Sequence, residues 1–166
     1  AFSSISHLGW MTAIIIYNPK LTLITFYLYC MMTTAIFLTL KTTKILKLSS
    51  MMTTWTKIPP LSATLMLTLL SLAGLPPLTG FLPKWLIIQE LTKQEMTPTA
   101  TIIALLSLLG LFFYLRLAYC ATITLPPNST KFMKQWQTNK PMSIFSTTLI
   151  TVTIMLLPLS PMILTI

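Results

Sequence analysis

The sequence predicts an all-α, polytopic transmembrane helix bundle with one broken helix, and three observations carry that expectation. Hydrophobic residues make up 54% of the 166 positions against 8% charged, too little polar material to cover a water-facing globule. Mean hydropathy is +0.81, and the apolar residues fall into runs of membrane-spanning length separated by short stretches holding lysine and proline. One of these runs, Leu61 to Lys93, would measure about 50 Å as a straight helix against a hydrocarbon core of roughly 30 Å. It must tilt steeply or break. Gly74-Leu75-Pro76-Pro77-Leu78-Thr79-Gly80, followed by Pro83, marks the break, because proline removes amide donors and glycine admits non-helical dihedrals. Non-helical backbone at membrane depth is tolerated only where it is buried in protein or lines a watery cavity.

The other elements follow in order. Residues 1–16 are apolar but shorter than a full span of about 20 residues, so they are expected to continue a helix begun upstream in a longer protein. Tyr17-Asn18-Pro19-Lys20 is a turn signal, and residues 21–40 form an uncharged stretch of spanning length. A loop with Lys41, Lys44, Lys47 and Lys57, closed by Pro59-Pro60, leads to the segment 61–93, broken near 74–80. Spans at 99–122 and 143–164 follow, separated by a polar loop with Lys131, Lys134 and Lys140; the chain reads as a single membrane domain over 1–166. If the spans alternate, those loop lysines share one side, while Lys20 and Lys93 lie on the other with Glu90 and Glu95. The lysine-rich side is then the cytoplasmic or matrix side.

Composition also excludes. The chain has one histidine, two glutamates, no aspartate and two distant cysteines, which cannot build a metal cage, a carboxylate dyad or a Ser-His-Asp triad. No glycine-rich phosphate loop is present. The net charge of +9 is spread singly between apolar runs and not gathered on one face, so topology accounts for it and nucleic acid is not expected as a partner. Cys30 and Cys120 lie in apolar runs and read as small buried hydrophobes.

Two residues stand out for proton chemistry. Lys84 follows the Gly/Pro break in the context Gly-Phe-Leu-Pro-Lys-Trp-Leu-Ile-Ile, about 14 Å along a helix from Lys93. A lysine at such depth costs about 2.5–3.5 kcal/mol to insert. An amine withdrawn from bulk water can switch charge state, which a surface lysine does not do near neutrality. The residues alone leave a second reading open, in which Lys84 snorkels to the interface beside Trp85. His7 shares a helical face with Ser3, Ser4, Trp10 and Met11, and an unperturbed imidazole titrates near neutrality. It could relay protons or only hydrogen-bond between helices. Glu90 and Lys93, three residues apart, read as a helix-end ion pair. Arg116, between Tyr114 and Tyr119, reads as an anchor in an aromatic belt.

AFSSISHLGWM, LLSLAGLPPLTGFLPKWLIIQELTK, FFYLRLAY and PLSPM together resemble the mitochondrially encoded NADH dehydrogenase subunit 2 family of animals. Its members are antiporter-like subunits of respiratory complex I with two inverted five-helix repeats, each holding a broken helix with a lysine. The resemblance extends over essentially the whole chain and implies its C-terminal half. It identifies Lys84 with the lysine of the second broken helix, at the outlet of the proton path, and His7 with a histidine of the hydrophilic axis. A Glu and two further lysines of the family have no counterpart here. The resemblance further implies the mitochondrial inner membrane as location, and other membrane-arm subunits, including neighbouring antiporter-like subunits, and membrane lipids as partners. No cofactor is expected in this chain; NADH, FMN, iron-sulfur clusters and ubiquinone would belong to partner subunits. A stand-alone cation/proton antiporter and a purely structural membrane subunit are the competing readings.

Overall fold

The computed structural model describes residues 2–43, 47, 51, 59–123 and 147–154, which are helical or in turns and contain no strand. Five helices are delimited: α1 (Phe2–Ile14), α2 (Pro19–Thr43), α3 (Pro59–Ala73), α4 (Phe81–Lys93) and α5 (Thr97–Thr122). Residues 147–154 are also helical. The expected loop lysines Lys44, Lys57, Lys131, Lys134 and Lys140, and the ends of the expected span 143–164, lie outside the described residues.

Proline sets most of the helix starts. Pro19 opens α2, Pro59 and Pro60 open α3, Pro83 falls in the first turn of α4 and Pro98 in that of α5. In a first turn the missing N–H has no intrahelical partner to lose. The sequence places Pro59-Pro60 at the end of a loop, whereas in the structure they are the first two residues of the helix. At α2 the Asn18 side chain completes the cap, accepting from the Leu21 N–H at 3.3 Å. Helix α4 ends with Glu95 in the left-handed region at φ 59°. The Met96 N–H reaches back to the Leu91 carbonyl at 3.1 Å, which makes the turn into α5 tight.

Helices α2 and α5, of 25 and 26 residues, are each long and apolar enough to cross a membrane. The shorter helices divide the length of this pair between them. One core joins Leu28, Met32 and Ile36 of α2 to Leu65, Leu69 and Leu72 of α3 and to Tyr114, Ala118 and Ala121 of α5. A second joins Trp10 and Ile14 of α1 to Leu21 of α2, Ile87 and Leu91 of α4 and Ala100 of α5. Helix α3 therefore packs against one half of α2 and α5, and α4 with α1 against the other, with residues 74–80 at the junction.

Inside and outside are reversed relative to a water-soluble helix. Helix α5 buries only Ala100, Tyr114, Ala118 and Ala121, while Ile102, Leu105, Leu108, Leu109, Phe112 and Phe113 point outward. Small residues at helix contacts and large apolar ones outside is the pattern that lipid favours and water penalises. The many hydroxyls follow the same logic. Thr39, Thr68 and Ser71 are fully buried, yet each donates to a carbonyl three residues back, at 2.7–2.9 Å. A threonine-rich sequence can thus enter an apolar core without unsatisfied donors.

Between Gly74 and Gly80 the chain is turned rather than helical. Gly74 has φ +83°, and its N–H closes onto the Ser71 carbonyl at 2.9 Å. Leu78 bonds back to Leu75 at 3.0 Å and Phe81 to Leu78 at 3.1 Å. Gly80 then comes against the backbone of α3, where a Cβ would overlap the Ser71 carbonyl oxygen. Thr79 is buried and donates to the Thr153 carbonyl at 2.6 Å, so residues 147–154 pin the turn from a third side.

Gly80→Ala must displace backbone, and the expected loss is about 1–3 kcal/mol, read as a fall in melting temperature of the detergent-solubilised protein. Gly9→Ala and Gly110→Ala meet nothing within 4 Å and should hold or raise it, since alanine is the better helix former. Equal melting for Gly80→Ala and these two controls would contradict the close approach.

Candidate functional site

The site grows out of the interruption. Helix α3 stops at Ala73, so its last carbonyls lose their intrahelical partners and carry the negative end of the helix dipole. Helix α4 begins beside them, and Lys84 leaves its first turn toward that end. The Lys84 Nζ donates to the Ala73 carbonyl at 2.9 Å. Gly74 makes the room: a Cβ there would stand 2.9 Å from Nζ and 3.0 Å from Cδ of Lys84. Its positive φ is one that L side chains rarely adopt.

Beyond Lys84 lies a cavity of about 290 Å³ walled by α1, α3, α4 and α5. His7 and Lys84 both line it, together with Ser6, Trp10, Ser107 and Tyr114. The His7 ring also lies against Tyr29 of α2, with centroids 4.8 Å apart at 33°. The two residues singled out in the sequence, far apart in the chain, thus meet at one space with polar groups on its walls. The Glu90–Lys93 pair stands apart on an exposed face at 3.3 Å, as an ordinary (i, i+3) pair worth a few tenths of a kcal/mol. Trp85, the neighbour in the anchoring alternative, is 51% exposed and directed away from the cavity that Lys84 lines.

One expectation needs correcting. Tyr114 is not in an outward aromatic belt with Arg116 and Tyr119. It is 7% exposed where Tyr119 is 58% exposed, lines the cavity and hydrogen-bonds through its hydroxyl to that of Ser3. The reason is helical phase: Tyr119 is five residues on, on a different face. The missed signal was the stripe Ile103, Ser107, Gly110 and Tyr114, spaced four, three and four residues along α5. Such spacing puts one small-to-polar face toward α1.

Cys30 and Cys120 are half-buried and not joined in a disulfide. Among the described residues no group of three or more His, Cys, Asp or Glu side chains converges on a point. What the cavity offers chemically is therefore a lysine amine, an imidazole and hydroxyls around a space large enough for several waters.

Residues 1–110 match the family described as NADH:quinone oxidoreductase/Mrp antiporter, TM, and residues 111–164 match NADH dehydrogenase subunit 2 C-terminus. NADH-ubiquinone oxidoreductase chain 2 of Struthio camelus is 73% identical over 164 residues, 99% of this chain and 47% of that one. The chain 2 proteins of Anas acuta and Gallus gallus are 69% and 67% identical, over 98% and 99% of this chain and 47% and 48% of theirs. The chain spans about half the length of these relatives. A family domain matching residues 1–110, with the subunit 2 C-terminal domain following it, puts the protein in the membrane: the chain belongs to the NADH:quinone oxidoreductase/Mrp antiporter transmembrane family, among the NADH dehydrogenase subunit 2 chains.

Proposed function

We propose that this chain is a proton-translocating membrane-arm subunit of respiratory complex I, coupling NADH:ubiquinone electron transfer to proton pumping across the mitochondrial inner membrane. The observation that carries the proposal is Lys84: its ammonium rests on the Ala73 carbonyl at a helix interruption and lines one cavity with His7. In this reading α3 and α4 are the two halves of one broken membrane helix, and the chain crosses the membrane several times with its lysine-rich loops on the matrix side.

The chemistry asked of the chain is proton transfer. A charged Lys84 is held by the free carbonyl and negative end of α3. It gives a proton to water in the cavity, and as a neutral amine with a lone pair it can take up another. His7, across the same space, accepts that proton at the unprotonated nitrogen of its neutral ring, or supplies one as imidazolium. The redox half of the reaction belongs to partner subunits holding NADH, FMN, iron-sulfur clusters and ubiquinone. Neighbouring antiporter-like subunits and lipid cover the outward apolar faces. A stand-alone cation/proton antiporter is the second reading, because the family matched by residues 1–110 includes the Mrp antiporters. The subunit 2 match over 111–164 favours the first, and co-purification with flavin and iron-sulfur subunits separates the two.

Lys84→Met keeps length and apolar packing and removes the titrating amine. In proteoliposomes the complex should assemble but pump about a hundredfold more slowly, the low end for losing a positioned proton-transfer group. Lys84→Arg keeps the charge but cannot release it near neutral pH, so it too should lose protons pumped per electron pair. Full coupling in the Arg variant would reduce Lys84 to an anchor.

Gly74→Ala should act on the same readout through Lys84, since the new methyl would stand 2.9 Å from Nζ and push the side chain aside, and the backbone strain adds roughly 1–2 kcal/mol. Pumping is expected to fall in assembled complex, and unchanged pumping would show that Lys84 does not need its seat on α3.

His7→Gln retains hydrogen-bonding capacity without titration. Slower pumping with normal assembly is expected. A parent-like rate would leave His7 as a link between helices.

A further inference from the structure

The scheme above gives no task to the hydroxyl of Tyr114, which lines this cavity, nor to that of Ser3, which is bonded to it. They come from α1 and α5, 111 positions apart in the chain, and hydrogen-bond directly to each other. Ser3 lies one helical turn before His7, so both side chains occupy the same face of α1. Tyr114 lines the cavity that His7 and Lys84 line and is 7% exposed. A clamp between two apolar helices would not need polar atoms, because a buried hydroxyl pair stabilises little over a well-packed apolar one. A pair of hydroxyls has another property: each oxygen can donate and accept, and here either one can be the donor.

We propose that the Ser3–Tyr114 hydroxyl pair is a further station on the proton path, extending it from the His7–Lys84 cavity toward the N-terminal end of α1. The inference rests on the proton-path reading of Lys84. In a concerted hop the Tyr114 Oη accepts a proton from cavity water as its own O–H proton passes to the Ser3 Oγ, which releases its proton to a water beyond. Each oxygen ends with one proton, no electrons move, and the hydrogen bond has reversed its direction. Rotation of the two hydroxyls resets it.

Tyr114→Phe keeps the ring and its packing and removes one oxygen. Assembled complex carrying it is reconstituted into proteoliposomes and compared with the parent and with Lys84→Met for protons pumped per electron pair. The expected result is normal assembly with pumping reduced about three- to tenfold, the worth of one hydrogen bond lost from a required path. Ser3→Ala should give the same loss, the double variant no deeper one, and Ser3→Thr, which retains the hydroxyl, parent-like pumping. Full pumping in Tyr114→Phe beside blocked pumping in Lys84→Met overturns the inference, makes the pair a clamp, and leaves the Lys84 reading standing. Unchanged pumping in Lys84→Met removes the cavity from the path and overturns both. Should Tyr114→Phe fail to assemble, Ser3→Ala against Ser3→Thr decides by the same readout: loss in Ala alone supports the relay, and equal pumping overturns it.

Discussion

A helix that stops in apolar surroundings leaves its last carbonyls without partners, and the arrangement around residues 71–84 is organised by meeting them. The Ser71 carbonyl takes the N–H of Gly74, and the Ala73 carbonyl takes the ammonium of Lys84. Glycine eases the approach at both ends of the turn. A side chain at Gly74 would crowd Lys84, 2.9 Å from its Nζ, and one at Gly80 would overlap the Ser71 carbonyl oxygen. Pro76 and Pro77 bring no N–H groups that would need partners of their own. The local sequence is thus a set of answers to one problem of unsatisfied backbone.

The remainder of the fold holds that junction in place. Helices α2 and α5 run past it on either side, and their two cores grip α3 and α4 separately. At the junction Met32 of α2 lies with its sulfur 3.7 Å from the Ser71 Oγ and 3.9 Å from the Thr79 Oγ1. Thr79 is tied to Thr153 in turn. Soft sulfur and back-bonded hydroxyls suit such a place, because they fill an irregular gap without adding a charge or an unmet donor.

Much of this was legible in the sequence because the signals were of the right length. Runs of apolar residues declare helices, and a Gly/Pro cluster in the middle of one declares an interruption, so α2, α5 and the stop between α3 and α4 could be placed in advance. Lys84 and His7 were legible for a related reason, as titratable groups in stretches that otherwise exclude them. Periodicity failed on Tyr114. In a helix apolar on nearly every face, hydrophobicity does not mark which side is inside, and Tyr114 and Tyr119 look alike. Only the small-residue stripe at Ser107 and Gly110 tells them apart, and it acquires meaning once the cavity is known to open onto it. Nor could the sequence reveal the Ala73 carbonyl as the partner of Lys84, since a backbone acceptor has no letter.

That last contact joins stability to the proposed chemistry. A donor long enough to cross from α4 to the end of α3 could cover it, and an arginine would do so permanently. Lysine covers it conditionally. The ammonium adds attraction to the negative end of the helix, whereas the neutral amine retains the hydrogen bond and loses the attraction. A change of protonation on Lys84 would therefore change how firmly α4 is held to α3. The turn between α3 and α4 then does more than end a helix, because the group that covers the free Ala73 carbonyl is also the group proposed to carry the proton.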